Sequence, residues 1–221
     1  MDYSPLWLTI RVASTATFLL LLLGLPGAWW ISSGSGPLRS FLRLAVTFPL
    51  VMPPTVLGFL FLVVFAPSTL LGRLLDSAGL GILFTTRGLV LASVAGGIPF
   101  VFNPLISGFE SLPPSLSEAA RVLGKGRLEI LARVLLPSML PSLMSATALS
   151  FAHSCGEFGV VLMVGGKIPG QTTTASLALF DAVDTMDMHA SRIWAVLLLG
   201  LSAAVLFPAL TVGRRLAARN R

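Results

Sequence analysis

Five long stretches of the chain carry no charged residue: Val12–Leu38, Leu44–Gly72, Gly88–Phe109, Val134–Gly156 and Ile193–Gly213. A helix needs roughly 20 mostly apolar residues to cross the hydrocarbon of a bilayer, and about 18 without charge already make a candidate. The pattern predicts five membrane-crossing helices, over about 8–32, 42–66, 88–109, 132–156 and 193–213. A sixth apolar stretch, Phe158 to Phe180, is interrupted by Gly165, Gly166, Lys167, Pro169 and Gly170. It suits a short or re-entrant segment, and counted as a crossing it makes six. Unbroken apolar runs argue against a membrane β-barrel, whose strands alternate over about ten residues. Asp2, rather than a basic cluster, precedes the first stretch, unlike a cleaved signal peptide. Residues 5–215 are expected to form a single membrane domain, with no soluble domain left over.

Composition agrees and adds a direction. Of 221 residues, 55% are hydrophobic and 11% charged, against about 25% charged in a soluble domain. So apolar a chain is not disordered, and one cysteine, Cys155, cannot build a disulfide scaffold. The net charge is +6, but the basic residues are too scattered for a nucleic-acid face, and no nucleic-acid partner is expected. Arg39, Arg43, Arg121, Lys125, Arg127, Arg133, Arg214, Arg215, Arg219 and Arg221 flank one side of the predicted spans. Only Arg11, Arg73, Arg87, Lys167 and Arg192 flank the other. Cytoplasmic loops carry the Lys and Arg excess. The first side is therefore expected in the cytoplasm, with the N-terminus outside and the C-terminus inside. Asp181, Asp184 and Asp187 then cluster outside.

The loop between the third and fourth spans has its own pattern. Pro113 and Pro114 end the preceding helix. Ser115 followed by Glu118 reads as a capping box that starts another. Leu116, Ala119, Ala120 and Leu123 recur at i, i+3, i+4 and i+7 as one apolar face, and Gly124 is a C-terminal stop. The prediction is an amphipathic helix over about 115–124 on the cytoplasmic face. By pattern alone it either lies at the lipid interface or offers small alanines to a closely approaching partner.

Glu118-Ala119-Ala120, Gly124 and the later Val134-Leu135-Leu136-Pro137, at this spacing, resemble the EAA loop of ABC importer permeases. The resemblance implies an all-α integral membrane protein with the type I ABC importer transmembrane fold (MetI-like). It also implies that the short helix is a coupling helix docked in a groove of a cytoplasmic ATPase. Glu118 and Arg121 would pair with the ATPase, Ala119 and Ala120 would set close packing, and Gly124 would permit the turn. The chain has no G-x-x-x-x-G-K-S/T phosphate loop. ATP and Mg are thus expected on a separate ATPase chain, with no cofactor on this one, which is read as a transport subunit and not an enzyme.

Two further features lie within the spans. Pro49, Pro53 and Pro54 fall inside the second one, where prolines kink a membrane helix and free its carbonyls. The segment Ser150 to Gly159 places His153, Ser154 and Glu157 at the outer end of the fourth span. Polar groups at membrane depth are costly and face a cavity or a partner. His153, Cys155 and Glu157 at i, i+2 and i+4 of one helix do not converge, so no metal site is expected. Candidates for the path or its gate are Pro49, Pro53, Pro54, Thr55, Ser150, Ser154 and Glu157. Many other hydroxyls lie in the spans, and most of these are expected to bond back to their own helices.

Glu157-Phe-Gly, continuing to Ile168-Pro169-Gly170, is similar to a matching region of molybdate permeases. Phe48 to Gly58 is similar to their double-proline stretch, with Met52 in place of a leucine. Sulfate permeases are close relatives that usually lack the double proline. The likeness covers roughly residues 5–215. It departs at Gln171-Thr172-Thr173-Thr174, where the family often has Glu-Thr-Arg, which removes a charge pair from the outer loop. The resemblance implies import of molybdate by alternating access, with tungstate or sulfate as alternatives. The implied partners are an extracytoplasmic oxyanion-binding protein, two ATPase copies, a second copy of this chain and the lipid bilayer. A five-span chain is too small to enclose a pathway alone, which agrees with a homodimer. A membrane enzyme would draw on His153, Glu157, His189 and the Asp181, Asp184 and Asp187 cluster, but the histidines fall on different segments.

Overall fold

The computed structural model describes residues 2–219, and every regular element among them is a helix. α1 (Ser4–Ser32) opens with Pro5 in its first turn, where a missing N–H costs nothing. Just before it, the Asp2 carboxylate accepts from the Ser4 hydroxyl at 2.6 Å and N–H at 2.9 Å, which holds its carboxyl below the ordinary range.

The second apolar stretch is not one kinked span. α2 (Pro37–Thr47) passes into a 3-10 turn at Phe48–Leu50 and stops, and α3 (Pro54–Phe65) restarts at 107° to it. Pro49 sits in the turn, Pro53 caps α3 and Pro54 opens it. Prolines this close delete successive ladder donors and push the preceding residues out of helical geometry, so the helix breaks.

α4 (Leu70–Ser77) and α5 (Thr86–Glu110) start with the same device, a threonine hydroxyl at the cap accepting a backbone N–H. Thr69 takes Gly72 at 3.0 Å and Thr85 takes Gly88 at 3.2 Å. After α6 (Pro114–Val122) the chain forms α7 (Arg127–Ile130), a π-helical turn at Leu131–Leu135, α8 (Leu136–Ser138) and α9 (Leu140–Gly156). The expected fourth span therefore bends by 78° at Met139. Pro137 and Pro141 each remove a ladder donor beside that break. The interrupted stretch becomes α10 (Gly159–Gly165) and most of α11 (Ala175–Asp184), joined by a turn with Gly166, Lys167 and Gly170 at positive φ. α12 (Met188–Arg219) ends the described chain. α1, α5 and α12 are long and apolar enough to cross a membrane, and the two bent pairs reach that length only together.

α5 is central, between α1 and α9. Val101 and Leu105 are fully buried among Leu20, Ala28 and Ala146. The backbones approach closely: a Cβ at Gly97 would lie 2.6 Å from Leu20 Cδ1, and one at Gly24 2.8 Å from Val101 Cγ1. Small residues at such contacts are how helices pack in lipid, where no hydrophobic drive separates them from the solvent. The Thr17 and Ser150 hydroxyls, 3.2 Å apart, tie α1 to α9, and Thr9 accepts from the Ala175 N–H at 2.8 Å to hold α11. Thr15, Thr47, Ser145 and Thr147 bond to carbonyls four residues back, as expected for spare hydroxyls.

Charge separates along the bundle. At one end Arg43 pairs with Glu110, the last residue of α5, and Arg39 lies 5.2 Å over the Trp30 ring. At the other, Lys167 pairs with Asp181 and Arg87 donates to the Gly79 carbonyl at 3.0 Å. Arg221, counted with the more basic side, lies outside the described residues, as do the side chains of Arg214, Arg215 and Arg219.

Candidate functional site

α9 ends midway along α5 and not near its outer end. A Cβ at Gly96 would lie 3.4 Å from His153 Nε2 and 4.0 Å from Glu157 Oε2. At 1.5 Å per residue, Gly96 stands about 15 Å from the Thr86 end of α5 and about 21 Å from the Glu110 end. The polar segment expected at an outer mouth is therefore at mid-depth of the bundle. The physical reason is a helix break: Glu157 turns to extended geometry, and α10 covers the rest of the distance. The Glu157 carboxylate makes this break tolerable, because its Oε1 accepts from the Val160 N–H at 3.2 Å and satisfies a buried donor at the start of α10. Its backbone carbonyl accepts from the Ser176 hydroxyl at 2.8 Å.

α3 starts at the same place. A Cβ at Gly159 would lie 3.0 Å from Pro54 Cβ, and one at Gly58 2.7 Å from Met163 Cβ, so α3 and α10 run side by side from a shared origin. Between Pro54 and Thr55 of α3, His153 of α9, and Glu157 and Phe158 of the junction lies a cavity of about 540 Å³. The His153 ring stacks on Phe100 with centroids 4.1 Å apart, and its Nε2 is 3.3 Å from Glu157 Oε2. The Thr55 side chain is exposed, and its hydroxyl makes no hydrogen bond among the described residues.

Of the path candidates, Pro54, Thr55 and Glu157 thus meet at one cavity, with Pro53 adjoining as the α3 cap. Pro49 lies apart, in the turn before the break. Ser150 is fully buried on the α1 contact, and Ser154 is buried with an unpartnered hydroxyl. His153 was not among those candidates. The available signal was its spacing, four residues before Glu157 and so on the same helix face. Among the described residues no three His, Cys, Asp or Glu side chains converge as metal ligands would. The departing Gln171–Thr174 stretch is held by hydroxyls. Thr172 is fully buried, accepts from the Ile168 N–H at 2.8 Å and donates to the Gly165 carbonyl at 2.7 Å.

The second candidate region is α6. It begins at Pro114, and no side chain caps it, so Ser115 and Glu118 do not form the expected capping box. Proline at the first helical position has its φ preset and no N–H to satisfy, so the helix starts one residue early. Its end is as expected. Gly124 has φ +75°, its N–H donates to the Arg121 carbonyl at 2.9 Å, and the Lys125 N–H donates to Ala120 at 3.1 Å, the paired bonds of a Schellman stop. A Cβ on Gly124 would meet nothing within 4 Å, so its need is conformational and not spatial. The predicted single apolar face is split. Ala120 is buried and Leu116 half-buried, whereas Ala119 is exposed and Leu123, past the last helical residue, is 77% exposed. Val122 at 88% and Leu128 at 75% extend this bare surface, flanked by exposed Glu118 and Arg121. Glu129 braces the following turn, 2.6 Å from Lys125 and 3.0 Å from Arg133. The Lys125 hydrogen bond holds its carboxyl below the ordinary range.

Comparison with known proteins places these features in a family context. The profile of the family described as binding-protein-dependent transport system inner membrane component matches residues 20–219. The molybdenum transport system permease protein of Azotobacter vinelandii is 42% identical over 194 residues, 87% of this chain and 85% of that protein. The sulfate transport system permease protein of Salmonella typhimurium is 31% identical over 211 residues, 96% of this chain and 76% of that one. Among solved structures, the inward-facing MetNI methionine ABC transporter superposes with a TM-score of 0.73 at 19% identity, over 96% of this chain and 94% of that one. A bacterial alginate ABC transporter, solved with an alginate-bound periplasmic protein, gives 0.77 at 15% identity, over 96% and 78%. At these identities the two structures share the fold.

Proposed function

This chain belongs to the family of binding-protein-dependent transport system inner membrane components, and from that premise we propose that it is the permease subunit of an ATP-driven importer of molybdate. The observation that carries the substrate is the 42% identity to a molybdenum permease across most of both chains. The likeness to a sulfate permease is lower, which ranks sulfate, with the similarly shaped tungstate, as the alternative.

Residues 5–215 form the transport domain. It crosses the membrane five times, each bent pair counting as one crossing, with the N-terminus outside and the C-terminus cytoplasmic. The basic end bearing Arg39, Arg43 and α6 then faces the cytoplasm. α6 is the coupling helix. Val122, Leu123 and Ala119 sit against the ATPase, with Glu118 and Arg121 as polar contacts, and Gly124 sets the exit angle. The nucleotide and Mg are held by two copies of that separate ATPase, and an extracytoplasmic binding protein delivers the anion. Two copies of this chain face each other across the path, with the cavity at Thr55 and Glu157 lying on it at mid-membrane. Broken helices in a membrane are tolerated where they line such a cavity.

Closure of the ATPase dimer moves α6, and α5 and α9 carry the motion to the cavity as a rigid-body switch between inward and outward access. The test is co-expression with an ATPase and a binding protein, followed by uptake into vesicles. ATP-dependent molybdate accumulation competed by tungstate is expected. An assembled complex that hydrolyses ATP but moves neither molybdate, tungstate nor sulfate would remove the substrate reading.

A further inference from the structure

The His153–Glu157 pair stands out because ionisable groups at mid-membrane are costly and are functional by default. Each partner is fixed. Phe100 stacks on the imidazole, the Val160 N–H holds Glu157 Oε1, and Ser176 holds the Glu157 carbonyl. The Glu157 side chain is 5% exposed and that of His153 23%. His153 Nε2 is fully covered and, though 3.3 Å from Glu157 Oε2, makes no hydrogen bond among the described residues, so the open part of the ring is the edge away from it, which carries Nδ1.

We propose that His153, stacked on Phe100 beside Glu157, is the residue through which this chain hydrogen-bonds the translocating oxyanion at mid-membrane. The inference rests on the anion-import reading above. The chemistry is a matter of charge. A lone buried cation would bind a dianion tightly and retain it, whereas a lone carboxylate would repel it. An imidazole with its proton on Nδ1 is an uncharged donor, and the Glu157 carboxylate, 5% exposed, lies against the covered Nε2 edge of the ring. His153 thus presents an N–H donor at the cavity it lines. The free Thr55 hydroxyl across the cavity supplies a second neutral donor. Such directed, uncharged donors orient a tetrahedral anion and let it leave. Glu157 acts as a positioning residue, fixing which ring edge faces the path.

The test uses the whole complex of this chain, its ATPase and the binding protein in proteoliposomes. Molybdate uptake and ATP hydrolysis are measured together. His153→Ala is expected to lower molybdate moved per ATP hydrolysed at least tenfold, while hydrolysis stimulated by the binding protein stays within about threefold of wild type. His153→Gln, which restores an N–H donor, should recover a large part of the ratio. Glu157→Gln should lower the ratio less, and His153→Ala combined with Glu157→Gln should be no worse than His153→Ala alone, since the carboxylate acts through the ring. An unchanged ratio in His153→Ala overturns the proposal. So does a parallel loss of uptake and hydrolysis that Gln does not rescue, which marks a packing role. If His153→Ala fails to insert, the proposal is judged on His153→Gln and Glu157→Gln, and wild-type ratios in both overturn it. A wild-type complex that transports no oxyanion fails the import reading instead, before any variant is compared.

Discussion

At Gly124 a single backbone angle sets how α6 ends. Its φ of +75° lies where a β-branched side chain is strained by about 1–3 kcal/mol, and nothing crowds the site. Gly124→Val should therefore leave the chain inserted and folded but re-aim the end of α6. Loss of binding-protein-stimulated ATP hydrolysis, with normal amounts of assembled complex, is the expected result, and normal stimulation would contradict the coupling role. Gly124→Asn, which tolerates positive φ, should retain most of it. Ser150 makes the opposite case. Its hydroxyl is spent on Thr17 and fully buried, and interhelical bonds of this kind contribute about 0.6 kcal/mol in a membrane. Ser150→Ala should lower the melting point in detergent slightly and leave molybdate uptake unchanged. Glu129 adds a pH dependence. Its carboxyl titrates below the ordinary range when folded, so the stability it contributes is present above that range and is lost as pH falls through the lowered value. Acid titration of Glu129→Gln against wild type should show the two melting curves converging at low pH. Gly124 was legible in the sequence because a stop signal is local. The role of His153 was not, because its depth depends on where α9 ends against α5, a long-range contact.

The elements follow the same division. Charge-free runs mark α1, α5 and α12 well, since length and hydropathy alone decide a crossing. They do not reveal that the second and fourth runs fold as two pieces each, bent by 107° and 78°. Prolines were visible there, but whether a proline kinks or breaks a membrane helix depends on whether neighbours satisfy the freed carbonyls. At Pro53 and Pro54 the break places the start of α3 against Gly159 and opens the cavity. A chain with Pro53→Ala and Pro54→Ala regains two ladder donors, so α2 and α3 can join into one helix that draws Thr55 away from Glu157. Uptake should fall at least tenfold with insertion preserved. Unchanged uptake would mean that the break is incidental to the path.

At the scale of the whole molecule, the end that bears α6 and the cavity are separated by about 21 Å of α5, the distance from Glu110 to Gly96. On the proposed coupling role, a displacement of α6 reaches the cavity only if the intervening contacts move as a body. The close contacts of Gly24 and Gly97 and the Thr17–Ser150 bond make that segment stiff. A stiff lever acting on a cavity at mid-depth predicts a change in the side from which Thr55 can be reached. Cys155 is fully buried, which makes the wild-type chain its own unlabelled control. In the assembled complex, Thr55→Cys should react with a membrane-impermeant thiol reagent from the cytoplasmic side without nucleotide. With ATP held unhydrolysed and the binding protein docked, it should react from the outer side, each rate changing tenfold or more. Reaction from one side in both states would leave a static channel or a closed face and would contradict alternating access at this cavity. Reversed sidedness would keep the switch and invert the orientation drawn from the ten basic residues that the sequence assigns to one side of the spans.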